Sequence, residues 1–159
     1  PHESSGFRFG RPMTSAKIPA ELRQIVNQRA QGRCEYCLLH QDFSIYTHEV
    51  DHVIAQKHDG PTPAENLALS CLSCNRHKGT DLTTFDPATG EVTLLFNPRI
   101  QSWSEHFNII NGRIEGTTPT GTTPTGTTPT GRATEKLLMF NKPDRILQHR
   151  LLIAQNLYP

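Results

Sequence analysis

The adjacent residues Asp51 and His52, followed by Asn66 and Asn75, have the side-chain types that metal-assisted hydrolysis requires. Hydrolysis of a phosphodiester needs a deprotonated water, stabilisation of charge on the phosphoryl group and a route for the leaving oxygen. A hard divalent cation on a carboxylate and an amide oxygen can provide the last two. A histidine that is neutral near pH 7 can provide the first. Each residue alone is commonplace, so the hypothesis depends on their joint pattern.

Four cysteines form two C-x-x-C pairs, Cys34/Cys37 and Cys71/Cys74. Each pair can direct two sulfurs at one ion, and four thiolates match the tetrahedral coordination of zinc. The 33 residues between the pairs exceed the usual spacing of a zinc ribbon, which predicts a folded insert. The alternatives are disulfides, which suit small secreted domains, and a redox centre, which needs only one pair. Because no signal peptide is visible, we predict a structural Zn²⁺ site.

Three segments of the chain resemble the HNH endonucleases: C-E-Y-C, E-V-D-H-V-I-A and E-N-L-A-L-S-C-L-S-C-N-R-H-K-G, within about residues 34–80. In that family the motif is interleaved with paired C-x-x-C knuckles, and a ββα unit holds one divalent ion. The flanking segments are similar to small bacterial stand-alone HNH proteins. The resemblance implies an α+β fold with a ββα-metal (His-Me finger) core, a structural four-cysteine zinc site, flanking helices and a β-hairpin.

The resemblance also implies roles for the residues between and after the cysteine pairs. Asp51 would coordinate the catalytic cation, and Asn75 would be its second ligand. His52 would be the general base that activates water, and Asn66 would orient His52 by hydrogen bonding. Many members have His at the last position, but Asn also occurs there, as in the HNH domains of RNA-guided CRISPR nucleases. Oxygen ligands favour Mg²⁺ or Mn²⁺ as the catalytic ion.

Basic residues follow the last motif position, and Arg76, His77 and Lys78 are predicted to contact DNA phosphates. His77 lies two residues past Asn75, and residues two apart do not share a helix face. A phosphate or solvent contact is therefore favoured over metal ligation for His77. Glu49 either supports the site or pairs with a cation, and the sequence does not separate these two roles.

Hydrophobic periodicity and turn residues place these motifs on secondary structure. Neighbouring side chains of a strand point to opposite faces, so Asp51 and His52 are predicted to lie at a strand end. Four helices are predicted. The first begins at Ile18–Pro19 and ends at Gly32, and the second follows the second cysteine pair. The other two cover Thr134–Phe140 and Pro143–Gln155. The predicted strands are Phe43–Val50, a short strand or turn at His52–Ala55, Val92–Phe96, and a hairpin from Trp103 to Ile114 that turns at Asn111–Gly112.

We divide the chain into six segments. They are an expression tag or disordered start (1–12), an N-terminal helix (13–33), the HNH core (34–80), a β-rich extension (81–116), a Thr-Thr-Pro-Thr-Gly repeat loop (117–131) and C-terminal helices (132–159). Proline, glycine and the lack of apolar side chains predict that the repeat is an exposed loop or linker.

Composition narrows the function classes less than the motifs do. A formal net charge of +1 neither favours nor excludes a nucleic-acid partner. The hydrophobic fraction of 35% is low, which favours a fold that a bound metal ion stabilises. No apolar stretch approaches the roughly twenty residues of a membrane span, and we expect a soluble, cytoplasmic protein.

The pattern as a whole predicts a metal-dependent DNA endonuclease with one catalytic cation and a histidine base. The first alternative is a zinc-stabilised nucleic-acid-binding module without catalysis. It is disfavoured because Asp51, His52, Asn66 and Asn75 occur together. The second is a zinc-containing interaction domain, which would not require particular residues between the knuckles.

Overall fold

The computed structural model describes residues 17–116 and 128–159. Short helices and small antiparallel sheets alternate along these residues, so the fold is α+β, as predicted. In chain order the helices and strands are α1 (Ala20–Ala30), β1 (Glu49–His52), β2 (Leu67–Ser70), α2 (Leu72–Lys78), β3 (Thr83–Phe85), β4 (Val92–Leu94), α3 (Trp103–His106), β5 (Phe107–Ile110), β6 (Arg113–Gly116), α4 (Pro129–Leu137) and α5 (Pro143–Ala154). Over this part of the chain the strands pair as β1–β2, β3–β4 and β5–β6. None of the described helices combines the length and apolar character needed to cross a bilayer.

Strands β1 and β2 and helix α2 form a central ββα unit. All four residues of β2 are buried, and His52 at the end of β1 lies opposite Leu67 at the start of β2. Helix α2 follows β2 directly because the Cys71 sulfur accepts the backbone N–H of Cys74 at 3.4 Å and caps the first turn. The helix therefore begins inside the second C-x-x-C pair, at Leu72, earlier than the predicted start after Cys74.

The loop that joins β1 to β2 is folded tightly onto its own backbone. A Cβ atom at Gly60 would lie 1.7 Å from the carbonyl oxygen of Ile54, so only glycine fits there. The buried Asn66 closes the loop from its other end. Its Oδ1 accepts the N–H of Ile54 at 2.9 Å, and its Nδ2 donates to the carbonyls of Ile54 at 2.9 Å and Pro61 at 2.7 Å. The segment after His52 therefore has one defined path.

Helix α1 covers one side of this unit. Arg29 in its last turn donates to the carbonyl of Leu67 at 2.6 Å, which ties the helix to the start of β2. The helix ends where the sequence predicts, because Gly32 adopts a left-handed φ of +70° two residues after Ala30. The small apolar cluster between α1 and β2 contains Ile18, Val26, Leu67 and Leu69.

The main core lies on the other side of the ββα unit and surrounds the cysteines. Aromatic rings pack edge to face within it, with the Phe107 centroid 5.3 Å from Phe96 and 5.6 Å from Phe140. These rings share one buried cluster with Cys34, Cys37, Cys71 and Cys74. The C-terminal helices therefore belong to the same core as the cysteine pairs.

The two strands of the ββα unit do not match the strands predicted at Phe43–Val50 and His52–Ala55. Residues 43–48 were predicted to be extended, but a 3₁₀ turn occupies Gln41–Phe43 and β1 begins only at Glu49. Residues 44–48 contact the segment just before them instead of a strand: the His48 Nε2 lies 2.7 Å from the carbonyl oxygen of Leu39. Residues 67–70 form the partner strand instead, and their apolar run carries no alternation that marks it as a strand.

The β5–β6 hairpin and the C-terminal helices follow the prediction more closely, although the hairpin begins at Phe107 and the residues predicted to start it, Trp103–His106, form helix α3. Asn111 and Gly112 have φ values of +51° and +79°, as the predicted two-residue turn requires. Helix α4 begins earlier than predicted, at Pro129 inside the third repeat copy, because Thr128 Oγ1 accepts the N–H of Gly131 at 2.9 Å and caps it. The remainder of the repeat and the proposed tag at 1–12 lie outside the described residues.

A buried ion pair fixes the β3–β4 hairpin to α4 and should make stability depend on pH. The Arg132 guanidinium donates to both oxygens of Asp86, at 2.8 and 2.6 Å, and holds the pKa of that carboxyl well below its usual range. This stabilisation is present at neutral pH and is lost as pH falls below the ordinary aspartate pKa of about 4. We expect the melting temperature to fall steeply below about pH 4, with a shallower fall in Asp86→Asn. The exposed Asp81→Asn is the matched control in thermal melts, and an unchanged slope in Asp86→Asn would contradict the assignment.

Candidate active site and zinc centre

The four cysteine sulfurs converge in the centre of the core. Their ligand atoms lie within 4.8 Å of one another, and the sulfurs of Cys37 and Cys71 are 3.7 Å apart. That separation is too long for a disulfide bond of about 2.05 Å. It is close to the roughly 3.8 Å between sulfurs placed tetrahedrally at about 2.3 Å from one zinc ion. The donor set and its spacing therefore fit structural zinc, and the β1–β2 hairpin is the folded insert predicted between the pairs.

Burial of the cysteines links metal uptake to pH. It raises the pKa of the Cys34 and Cys74 thiols well above the usual value. Zinc binds the thiolate form, so the ion has to displace protons from these buried sulfurs. Zinc affinity is therefore expected to increase with pH over the range in which these thiols ionise.

The Asp51 carboxylate lies between β1 and α2 and is 12% exposed. Its Oδ2 is 3.0 Å from the Nζ of Lys78 and accepts the Tyr36 hydroxyl at 3.3 Å. Burial raises the pKa of Asp51, and the neighbouring Lys78 ammonium opposes that shift. Both contacts use Oδ2. Within the described part of the chain nothing hydrogen-bonds Oδ1, so that oxygen is available to a cation.

The Asn75 amide contacts the same strand two residues earlier, at Glu49. Its Nδ2 donates to Glu49 Oε2 at 2.5 Å. Because an ionised carboxylate only accepts hydrogen bonds, this contact fixes the amide with Oδ1 turned away from Glu49. Glu49 and Asp51 share a face of β1, and Asn75 and Lys78, three residues apart, share a face of α2. The two predicted cation ligands therefore lie on the facing surfaces of β1 and α2, and this β1–α2 contact region is termed the groove.

His52 is the last residue of β1, so the predicted strand end is confirmed. Its Nε2 lies 3.3 Å from the hydroxyl of Thr62 in the β1–β2 loop. The hydrogen bonds of Asn66 go to the backbone of Ile54 and Pro61 rather than to the His52 ring, and Pro61 directly precedes Thr62. Any orienting effect of Asn66 on His52 therefore acts through this loop.

The structure separates the three residues that were predicted to contact phosphates. Lys78 is only 2% exposed, and its Nζ contacts Asp51 and, at 3.3 Å, the carbonyl oxygen of His52. A phosphate on the surface cannot reach that ammonium, so the phosphate contact predicted for Lys78 is corrected to an ion pair within the groove. His77 turns along its own helix, with Nδ1 2.6 Å from the carbonyl oxygen of Ser73. Arg76 is exposed and remains the candidate for a phosphate contact.

Three residues that contact Asp51 or His52 were not predicted to do so from the sequence: Tyr36, Thr62 and Lys78. Helical spacing could have indicated Lys78, because it follows Asn75 by three residues and lies on the same face. The position of Tyr36 inside the first cysteine pair carries a weaker signal. Nothing in the sequence marks Thr62, because its contact depends on the path of the loop.

One part of the chain matches a known protein family. Residues 34–81 match the protein family described as HNH endonuclease. No curated protein and no solved structure matches the chain. The matched range contains both cysteine pairs and the groove between β1 and α2, so these features form an HNH domain.

Proposed function

An HNH domain spans residues 34–81, and on that basis we propose that the chain is a DNA endonuclease that hydrolyses phosphodiester bonds with one divalent cation and a histidine base. The observation that carries the proposal is the groove between β1 and α2. Asp51 and Asn75 each present a side-chain oxygen there that no other described residue engages, and His52 ends the same strand.

The side chains of the groove would have different roles in the reaction. Asp51 Oδ1 and Asn75 Oδ1 would hold Mg²⁺ or Mn²⁺, because hard cations prefer carboxylate and amide oxygens. When bound, the cation supplies Lewis-acid stabilisation of charge on the phosphoryl group. Glu49 fixes the orientation of the Asn75 amide, and Tyr36 and Lys78 hold the Asp51 carboxylate through Oδ2.

His52 would take the proton from the attacking water. With a proton on Nε2, the ring donates to Thr62, and Nδ1 then carries the lone pair that accepts the proton. Asn66 holds the loop in which Thr62 lies, so the imidazole is oriented before substrate binds. Arg76, exposed on α2, would contact the DNA backbone beside the groove.

A plasmid-nicking assay tests the proposal directly. Supercoiled DNA is incubated with the protein in Mg²⁺, Mn²⁺ or EDTA, alongside His52→Ala and the control His58→Ala, which removes an exposed histidine from the same loop. We expect cleavage with either metal, none in EDTA, and a loss of about 10²–10⁴-fold in His52→Ala, the usual contribution of a general base.

Two outcomes would overturn the proposal. DNA binding without cleavage in every condition would identify a nucleic-acid-binding module instead. Equal activity of His52→Ala and His58→Ala would remove His52 from the chemistry and leave the histidine base without support.

A further inference from the structure

A buried arginine from outside the HNH domain lies against the cysteine cluster. Arg145, in helix α5, is 8% exposed, and its Nη2 donates to the sulfur of Cys74 at 3.2 Å. Its Nη1 donates to three neutral acceptors: the carbonyls of Leu138 and Met139, at 2.9 and 3.2 Å, and the hydroxyl of Ser73, at 3.3 Å. Among the described residues no carboxylate lies within ion-pair distance of it. A buried guanidinium requires a counter-charge, and the cysteine sulfurs are the groups within reach that can carry one.

The charge of a zinc-filled cluster matches this requirement. Four thiolates around one Zn²⁺ carry a formal net charge of −2 in a buried setting, where uncompensated charge is costly. We propose that Arg145 is the resident counter-cation of the four-cysteine zinc centre and that α5 closes the site. This inference depends on the zinc assignment but not on the nuclease activity.

A second contact from the same end of the chain supports the proposal. The Tyr158 hydroxyl donates to the carbonyl of Cys37 at 2.6 Å, and its ring stacks on His149 of α5, with centroids 4.3 Å apart. Arg145 therefore contacts the second cysteine pair, and Tyr158 contacts the first. The family match ends at residue 81, so both contacts come from a part of the chain that the HNH domain does not include.

Arg145 also packs over the Phe140 ring, with its guanidinium carbon 5.6 Å from the centroid. A role limited to packing predicts that replacing Arg145 lowers the melting temperature and leaves zinc affinity unchanged. A counter-cation role predicts weaker zinc binding and an altered ligand field. Arg150 offers a matched control, because it lies on the same helix but is exposed and bonds to the carbonyl of Asn111 instead.

The experiment measures zinc affinity of the full chain by competition with a chromophoric chelator in Arg145→Met, Arg145→Gln and Arg150→Met. We expect affinity to fall about 10–100-fold in Arg145→Met, the usual effect of losing a partner of a metal ligand. Arg145→Gln, which keeps a hydrogen-bond donor without the charge, should lie between Arg145→Met and the unaltered protein. The sulfur-to-metal absorption bands of the Co²⁺-loaded protein should shift in both Arg145 variants and not in Arg150→Met.

Unchanged zinc affinity and Co²⁺ spectrum in Arg145→Gln would overturn the proposal, even if Arg145→Met does not fold. An equal loss of affinity in Arg150→Met would also overturn it, because the effect would then belong to α5 as a whole. Absence of zinc from the unaltered protein would also overturn the counter-cation proposal. The plasmid assay would still test the proposed nuclease function separately.

Discussion

Removal of zinc is expected to unfold the described structure as a whole. The four cysteines are at most 4% exposed and lie inside the main core rather than at its edge. Structural zinc in small domains contributes roughly 10–16 kcal/mol at neutral pH, whereas a domain of this size is stable by about 5–15 kcal/mol in total. Loss of the ion therefore removes as much free energy as the fold has available.

Circular dichroism during titration with a strong zinc chelator measures this effect. We expect helical signal and cooperative melting to disappear as zinc leaves and to return when Zn²⁺ or Co²⁺ is added. Cys71→Ala should reproduce the metal-free state, because it removes both a ligand and the cap of α2. The same chelator saturated with Zn²⁺ before the titration is the control. Retention of a cooperative melt by zinc-free protein would show that the aromatic core alone maintains the fold.

Asp51→Asn is expected to abolish cleavage with little change in side-chain volume. The substitution removes the negative charge through which Asp51 would hold the cation, and a Lewis acid contributes several kcal/mol to phosphoryl charge stabilisation. At 1.36 kcal/mol per tenfold change, the expected loss is about 10³–10⁴-fold in kcat/KM. Burial raises the pKa of Asp51, so activity should also decline on acidification at a higher pH than an exposed aspartate would give.

Asp51→Asn also leaves the buried Lys78 ammonium without its partner, which would destabilise the fold by itself. The double variant Asp51→Asn with Lys78→Met separates the two effects. We expect it to recover much of the lost melting temperature and none of the lost cleavage. Recovery of cleavage in the double variant would show that Asp51 serves only to neutralise Lys78, and the cation assignment would then fail.

The sequence predicts those parts of the site whose residues are close together in the chain or repeat at a fixed spacing. The cysteine pairs, the strand end at His52 and the turn at Asn111–Gly112 follow from local pattern, and the structure confirms them. Helix α1 ends two residues before Gly32, which the sequence indicated as its C-terminal glycine. Each of these patterns depends on residues within a few positions of one another. The meeting of the two cysteine pairs is not local, and it was predicted from the four ligands that zinc requires.

The remaining features depend on contacts between distant residues. Arg145 meets Cys74 across 71 positions, and no local pattern marks a buried arginine. Lys78 was predicted to contact a DNA phosphate because it follows the last motif position. Its burial depends on pairing with Asp51, 27 residues away in the chain. Strand β2 is buried along its whole length, so it lacks the polar alternation that identifies a half-exposed strand.

The ammonium of Lys78 means that the groove keeps a positive charge of its own before a divalent ion binds and after it leaves. A buried carboxylate left alone would attract a proton or disturb its surroundings, but here the lysine already balances it. On the proposed function, the groove would therefore keep one backbone arrangement as the divalent ion binds and leaves. Zinc held by the four buried cysteines would stay for the lifetime of the fold, whereas the catalytic ion could exchange between turnovers.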